Sequence, residues 1–124
     1  MIAKGTSEEE QARRRIAYWE TMIRHWNIDA DNFRRAARGL GWVTSDLVDE
    51  AERTRGAVRE AIVRADQVTD DLPPGHELRT QAIRVTTALA ALSESLAISI
   101  EELAPLAAGG DRARLKYLVT HDHA

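Results

Sequence analysis

Residues 78–96 read LRTQAIRVTTALAALSESL. Apolar residues recur in this stretch in alternating steps of four and three, which is the spacing that keeps one seam of a helix facing a partner helix. The sequence therefore predicts a helix whose partner lies either within the same chain or in a second copy of it. The six residues of this seam are Leu78, Ala82, Val85, Leu89, Leu92 and Leu96.

Helical periodicity also dominates the rest of the chain, and no alternation of apolar and polar residues is long enough to indicate a sheet. A first amphipathic helix is predicted over 7–27, with Ser7 as the cap of its first N–H groups. Trp19 and Trp26 fall on its apolar face. Because aromatic residues at helical spacing usually pack inside a domain, we interpret both tryptophans as core residues.

Local signals predict short helices in the middle of the chain. Asp29 and Asp31 favour the start of a second helix, which Gly39 and Gly41 can close in a left-handed conformation. A linker begins at Trp42. The sequence thus predicts that the first helix stops well before residue 39.

Two further short helices are predicted to meet at a tight corner. Thr44 or Ser45 caps the third helix, and Thr54 caps a fourth helix that continues to Ala65. The segment 69–76 is the clearest break in the chain, because it contains two consecutive prolines that cannot lie in a regular helix.

The C-terminal third contains two more boundary signals. Ser99 and Glu102 have the spacing of a capping box, in which the serine accepts from an N–H three residues ahead and the glutamate reaches back. Gly109 and Gly110 are a typical helix stop. We therefore expect a helix that starts near Ser99 and ends at the glycine pair.

These elements fit one domain, because 124 residues are too few for two independent cores. We expect an all-α, compact helical domain of five to six helices that contains a helix-turn-helix and occupies residues 1–124. Its parts are the amphipathic helix at 7–27, the candidate helix-turn-helix region at 30–66 and the C-terminal helices at 77–109.

The corner between residues 44 and 65 has the pattern of a helix-turn-helix, in which small and branched residues hold two short helices together. The run Thr54–Ile62, TRGAVREAI, resembles the recognition helix of GntR-type bacterial regulators, whose pattern is Ser-Arg-x-Pro-Val-Arg-Glu-Ala-Leu. The run Leu47–Ala51 is similar to the helix that precedes it in those proteins.

A second resemblance lies further along the chain. Residues 91–103, ALSESLAISIEEL, resemble the closing helices of phage-repressor-like (Xre) domains, which often read Ala-Leu-Gly-Ile-Ser-x-Glu-Glu-Leu. Both resemblances are to bacterial helix-turn-helix proteins, so they imply a DNA-binding protein, and a transcriptional regulator in particular.

The resemblance also implies which residues face duplex DNA. The Thr54 hydroxyl and one of Arg55 and Arg59 would contact phosphate, and the other arginine a base edge. Three further arginines would neutralise phosphates: Arg34, Arg35 and Arg38.

The charge distribution predicts a local basic surface, whereas the chain as a whole is not basic. Residues 33–64 carry seven arginines and five acidic residues, about +2, although the whole chain has a formal charge of -3. Because one copy of this region offers few phosphate contacts, we expect a homodimer that presents two half-sites.

Catalytic and metal-binding patterns are not found. The chain has no cysteine, and its glycines do not form a phosphate-binding loop. His121 and His123 flank Asp122, but we expect no metal site there because a chain end gives ligands little support. We therefore expect no enzyme activity, no cofactor and no metal.

An alternative function remains open, which is a protein-interaction module such as an adaptor, inhibitor or antitoxin-like partner. In this alternative the apolar seam and the tryptophans would engage another protein. We expect a cytoplasmic location and no membrane contact, because the stretch 85–100 is interrupted by polar residues and the N-terminal stretch lacks the apolar core of a secretory signal.

Overall fold

Three long helices make up the structure, a computed structural model that describes residues 7–39 and 43–122. They are α1 at Glu8–Arg38, α2 at Ser45–Asp71 and α3 at Glu77–Asp122. The chain is all-α, as predicted. The predicted five to six helices are wrong, because four of the expected boundaries lie inside continuous helices.

Helix α1 begins as predicted and ends later than predicted. The Ser7 side chain accepts a hydrogen bond from the Glu10 N–H at 3.1 Å. Asp29 and Asp31 do not start a new helix, since α1 continues to Arg38. Gly39 follows α1 with φ -83° and ψ 174°, so it ends the helix in an extended conformation. The expected roles of Gly41 and Trp42 lie outside the described residues.

The predicted helix-turn-helix is wrong, because α2 is one continuous helix over Ser45–Asp71. Thr44 occupies the N-cap position of α2, but its side chain makes no capping hydrogen bond. Thr54 lies inside α2, where its hydroxyl donates to the Glu50 carbonyl at 3.0 Å. The helix is unbroken because one apolar face runs its full length, and no proline interrupts it. A bend would separate the residues of this buried face, which are Ala51, Val58, Ala61, Ala65 and Val68.

The predicted break near the prolines is confirmed, and it is narrower than expected because α2 continues to Asp71. Gly75 adopts a φ of +85°, which favours glycine. The His76 Nδ1 atom accepts from the Leu78 N–H at 3.1 Å, and the Arg79 guanidinium donates to the Leu72 carbonyl at 3.0 Å. These bonds fix the tight reversal from α2 into α3.

Helix α3 continues through every internal stop signal. The predicted capping box is wrong, because Ser99 is fully buried in the middle of the helix. The predicted stop at Gly109–Gly110 is also wrong, and Pro105 lies within the helix as well. Local end signals are worth only about 0.5–2 kcal/mol each, which is less than burial of a row of aliphatic side chains contributes.

The six seam residues of α3 lie in the core, each with at most 4% of its surface exposed. Helix α3 packs extensively against both α1 and α2, whereas α1 and α2 contact each other much less. Trp19 and Trp26 are buried as predicted. The bundle is therefore organised around α3, and its seam is satisfied within the chain.

A close approach of backbones locks the α1–α2 connection onto α3. A Cβ atom at Gly110 would lie 1.7 Å from the Val43 carbonyl oxygen, whereas a Cβ at the neighbouring Gly109 would meet nothing within 4 Å. Val43 is itself buried. Gly110 is thus required by packing rather than as a helix stop.

This difference between adjacent glycines gives a paired prediction. Gly110→Ala is expected to lower the free energy of unfolding by about 1–3 kcal/mol because the added methyl overlaps Val43. Gly109→Ala is expected to raise it by roughly 0.5–1 kcal/mol through helix propensity. Urea unfolding followed by circular dichroism measures both, and equal effects at the two positions would contradict the close contact.

The buried Ser99 gives a second prediction. Its hydroxyl has no hydrogen-bond partner among the described residues. Because an unpaired buried hydroxyl is destabilising, Ser99→Ala is expected to raise the free energy of unfolding by about 1 kcal/mol. Thr69→Val is the control and is expected to give no gain, since that buried hydroxyl does donate, to the Ala65 carbonyl at 2.9 Å. A loss of stability in Ser99→Ala would show that the serine is bonded in solution.

Candidate functional site

The two arginines predicted to read DNA lie in one shallow groove between α2 and α3. Arg55 and Arg59 line it together with Glu52, Gly56 and Ile100, and its volume is about 280 Å³. Arg55 is half-buried and Arg59 is exposed. The structure therefore brings these two residues together, although on a straight helix rather than on a recognition helix set at an angle.

The other predicted contacts lie elsewhere. Arg34 and Arg35 share the carboxylate of Asp31, at 3.8 Å and 3.3 Å, and Arg38 is exposed in the last turn of α1. Thr54 is half-buried and its hydroxyl is bonded within α2.

The two arginine sets lie on different helices. Arg34, Arg35 and Arg38 are on α1, whereas Arg55 and Arg59 are on α2 and line its groove with α3. Sequence reasoning grouped them around a bent pair of helices, and α2 is one continuous helix instead.

The outward side of α3 carries an apolar surface that the sequence analysis did not single out. Ile83 is 49% exposed and Ile98 is 58% exposed. Between them the exposed positions are small or neutral except for one residue of each charge. We call this surface the outer strip of α3 and define it as Ile83, Arg84, Thr87, Ala90, Ala91, Glu94 and Ile98.

The outer strip explains the high apolar content of α3. By length and composition, the segment Glu77–Gly110 is the one described helix that could cross a membrane, and a third of its most apolar window is buried in the bundle. A core helix of a soluble protein passes the same test. The signal available in the sequence was a second set of apolar residues outside the seam.

A second groove lies between α1 and α2, and we call it the arginine groove. Its volume is about 470 Å³. No carboxylate lines it in the portion of the chain that is described. Its lining residues are Arg14, Arg15, Tyr18, Trp19, Arg64 and Gln67.

Next to the arginine groove is a cavity of about 530 Å³ at the start of α1 and the end of α2. Arg15 lines both the arginine groove and this cavity. The cavity is also lined by the acidic residues Glu8, Glu9 and Asp71. The His76 Nε2 atom lies 3.8 Å from a Glu9 carboxylate oxygen. The charge along the α1–α2 boundary thus changes from acidic to basic.

Among the side chains that the structure describes, no group of three or more histidine, cysteine, aspartate or glutamate residues is placed to hold a metal ion. The predicted weakness of a metal site at His121 and His123 falls outside the described side chains. Comparison with known proteins adds no assignment: no family model, no curated protein and no solved structure matches this chain.

Proposed function

We propose that the protein is a non-enzymatic helical interaction module, and that the outer strip of α3 is its docking surface for a second copy of the chain. The supporting observation is that α3 is apolar on two sides. Its seam is buried by α1 and α2, while Ile83 and Ile98 remain about half exposed on the outward side. An exposed apolar strip on a helix is typical of a surface that a partner covers.

The pattern of the strip favours a second copy in antiparallel orientation. Ile83 and Ile98 are equally far from the midpoint between Ala90 and Ala91. If two copies of α3 cross there, each Ile83 lies level with Ile98 of the other copy, and the small alanines allow the two backbones to come close. The strip spans about 22 Å at a rise of 1.5 Å per residue.

Charge supports the same orientation. Arg84 and Glu94 are the two charged residues between positions 83 and 98. Antiparallel crossing places Arg84 of one copy within about one helical turn of Glu94 of the other, whereas parallel pairing sets each charge beside its own like. The strip is thus complementary to itself in a two-fold arrangement. Because the strip consists of only seven residues on each copy, the dimer is expected to be weak and concentration-dependent.

An exposed isoleucine on α1 offers a matched control for the strip. Ile98→Ser is expected to raise the dimer Kd at least about tenfold, because each dimer loses two buried isoleucines. Ile28→Ser, at 60% exposure on another helix, is expected to leave the Kd unchanged. Sedimentation velocity over a concentration series measures both. A wild-type chain that stays monomeric, or vesicle binding that Ile98→Ser abolishes in a monomer, would contradict the proposed occupant.

The orientation has its own test. Arg84→Glu and Glu94→Arg are each expected to weaken the dimer several-fold by placing like charges together, and the double variant is expected to restore it. Both residues are exposed, so all three variants should unfold as the wild type does. A double variant that is no tighter than the single ones would rule out antiparallel pairing.

Duplex DNA binding is a second candidate function, without a helix-turn-helix. It is supported by Arg55 and Arg59, which share a groove and have no ion pair among the described residues. The Arg55 Nε atom is buried and has no acceptor there. A dimer would present this groove twice.

Ionic strength separates the two candidate functions. If the groove contacts phosphates, affinity for mixed-sequence duplex DNA should fall steeply between low and moderate salt, and Arg59→Gln should weaken it about tenfold without changing dimer mass. Arg24→Gln removes the same charge elsewhere and is the control. Binding that is absent at low salt, or equal in both variants, would exclude this function for the groove.

A further inference from the structure

The arginine groove brings three positive charges from two helices to one place. Arg14 and Arg15 come from the second turn of α1, and Arg64 comes from α2. Neither Arg14 nor Arg15 has an ion pair among the described residues. Arg64 pairs at 3.2 Å with Glu60, but both side chains are 68% exposed. Exposed pairs of this kind are weak, so Arg64 can exchange its partner at little cost.

The lining of the arginine groove contains no carboxylate among the described residues. Arg13 and Arg35, by contrast, each have an acidic partner on the same helix, Glu9 at 3.4 Å and Asp31 at 3.3 Å. The groove residues other than its arginines are Tyr18, Trp19 and Gln67, none of which is charged at neutral pH. Guanidinium groups that face a neutral lining are an arrangement that an anion stabilises.

The remaining lining residues supply neutral donors and an aromatic wall. Tyr18 is 60% exposed and offers a hydroxyl donor, and Gln67 offers an amide donor. Trp19 is 5% exposed, so it forms part of the floor of the groove. A volume of about 470 Å³ is in the range of small-molecule sites.

We propose that the arginine groove is a binding site for the phosphate monoester group of a small ligand. The guanidiniums of Arg15 and Arg64 hold the phosphate from opposite walls, Arg14 adds charge at the rim, and the exposed Tyr18 ring contacts a flat portion of the ligand. This site is separate from the outer strip of α3, so it stands or fails independently of the proposed dimer.

The neighbouring cavity favours a single phosphate group over a polyanion. Glu8, Glu9 and Asp71 line it directly beyond Arg15. A nucleic-acid strand that followed the α1–α2 boundary would carry its next phosphates past these carboxylates, which repel it. A small ligand with one phosphate monoester avoids that repulsion.

The test is a titration of the full chain with inorganic phosphate and, separately, with adenosine monophosphate. Binding is monitored by two-dimensional NMR of the backbone and indole N–H groups, and the Trp19 indole serves as a reporter in the groove. Arg15→Gln and Arg64→Gln are each expected to raise the Kd for both ligands about tenfold. Arg24→Gln, an exposed arginine on α1 outside the groove, is expected to change neither. Tyr18→Ala is expected to weaken the binding of adenosine monophosphate and to leave the binding of inorganic phosphate unchanged.

The outcomes separate the possible sources of binding. Equal losses in Arg15→Gln and Arg24→Gln would mean that general charge attracts the anion, and the proposal would fail. The proposal would also fail if neither ligand saturates the protein at low salt. It would fail too if the NMR chemical-shift changes are confined to residues outside the groove. Equal affinity for both ligands would retain the phosphate site and remove the role of Tyr18. All variants lie on exposed positions, and thermal unfolding confirms that each is folded.

Discussion

The bundle depends on the burial of one side of α3. Leu89, Leu96 and Leu103 are completely enclosed, and the residues that cover them come from α1 and α2. α1 and α2 contact each other much less than either contacts α3. Without the buried side of α3, these two amphipathic helices would therefore have no shared core. Each fully buried aliphatic side chain contributes about 1.5–3 kcal/mol, so a row of them outweighs any single local preference along the chain.

That balance explains why the helices are longer than their local signals suggest. Asp29, Thr54 and Ser99 each have a side chain that can cap a helix, yet all three lie inside one. The Thr54 hydroxyl bonds within its helix, and the Ser99 hydroxyl has no partner among the described residues. A break at any of these positions would move the following apolar residues out of the shared core. Continuous helix therefore prevails, at a modest local cost.

The same straightness determines how the surface is organised. A helix-turn-helix would have gathered the arginines of residues 34–59 on one side of a corner. In the straight-helix bundle Arg34, Arg35 and Arg38 lie on α1 and Arg55 and Arg59 lie on α2, while Arg14 and Arg15 of α1 come to lie beside Arg64. The helices also leave the outward side of α3 uncovered. The two proposed surfaces are consequences of this packing: an apolar strip that is complementary to itself, and an arginine-rich groove with no carboxylate in its described lining.

The amino-acid sequence by itself determined the helical class, the cap at Ser7, the break at Pro73 and Pro74, and the seam of α3, because each depends on residues close together in the chain. Only the tertiary structure decided which potential boundaries are real. Gly110 shows the reason: its sequence context indicates a helix stop, but its lack of a side chain serves contact with Val43, which is 67 positions earlier and invisible to any local pattern. The arginine groove has the same origin, since its two walls come from distant residues that meet only when α1 and α2 pack on α3.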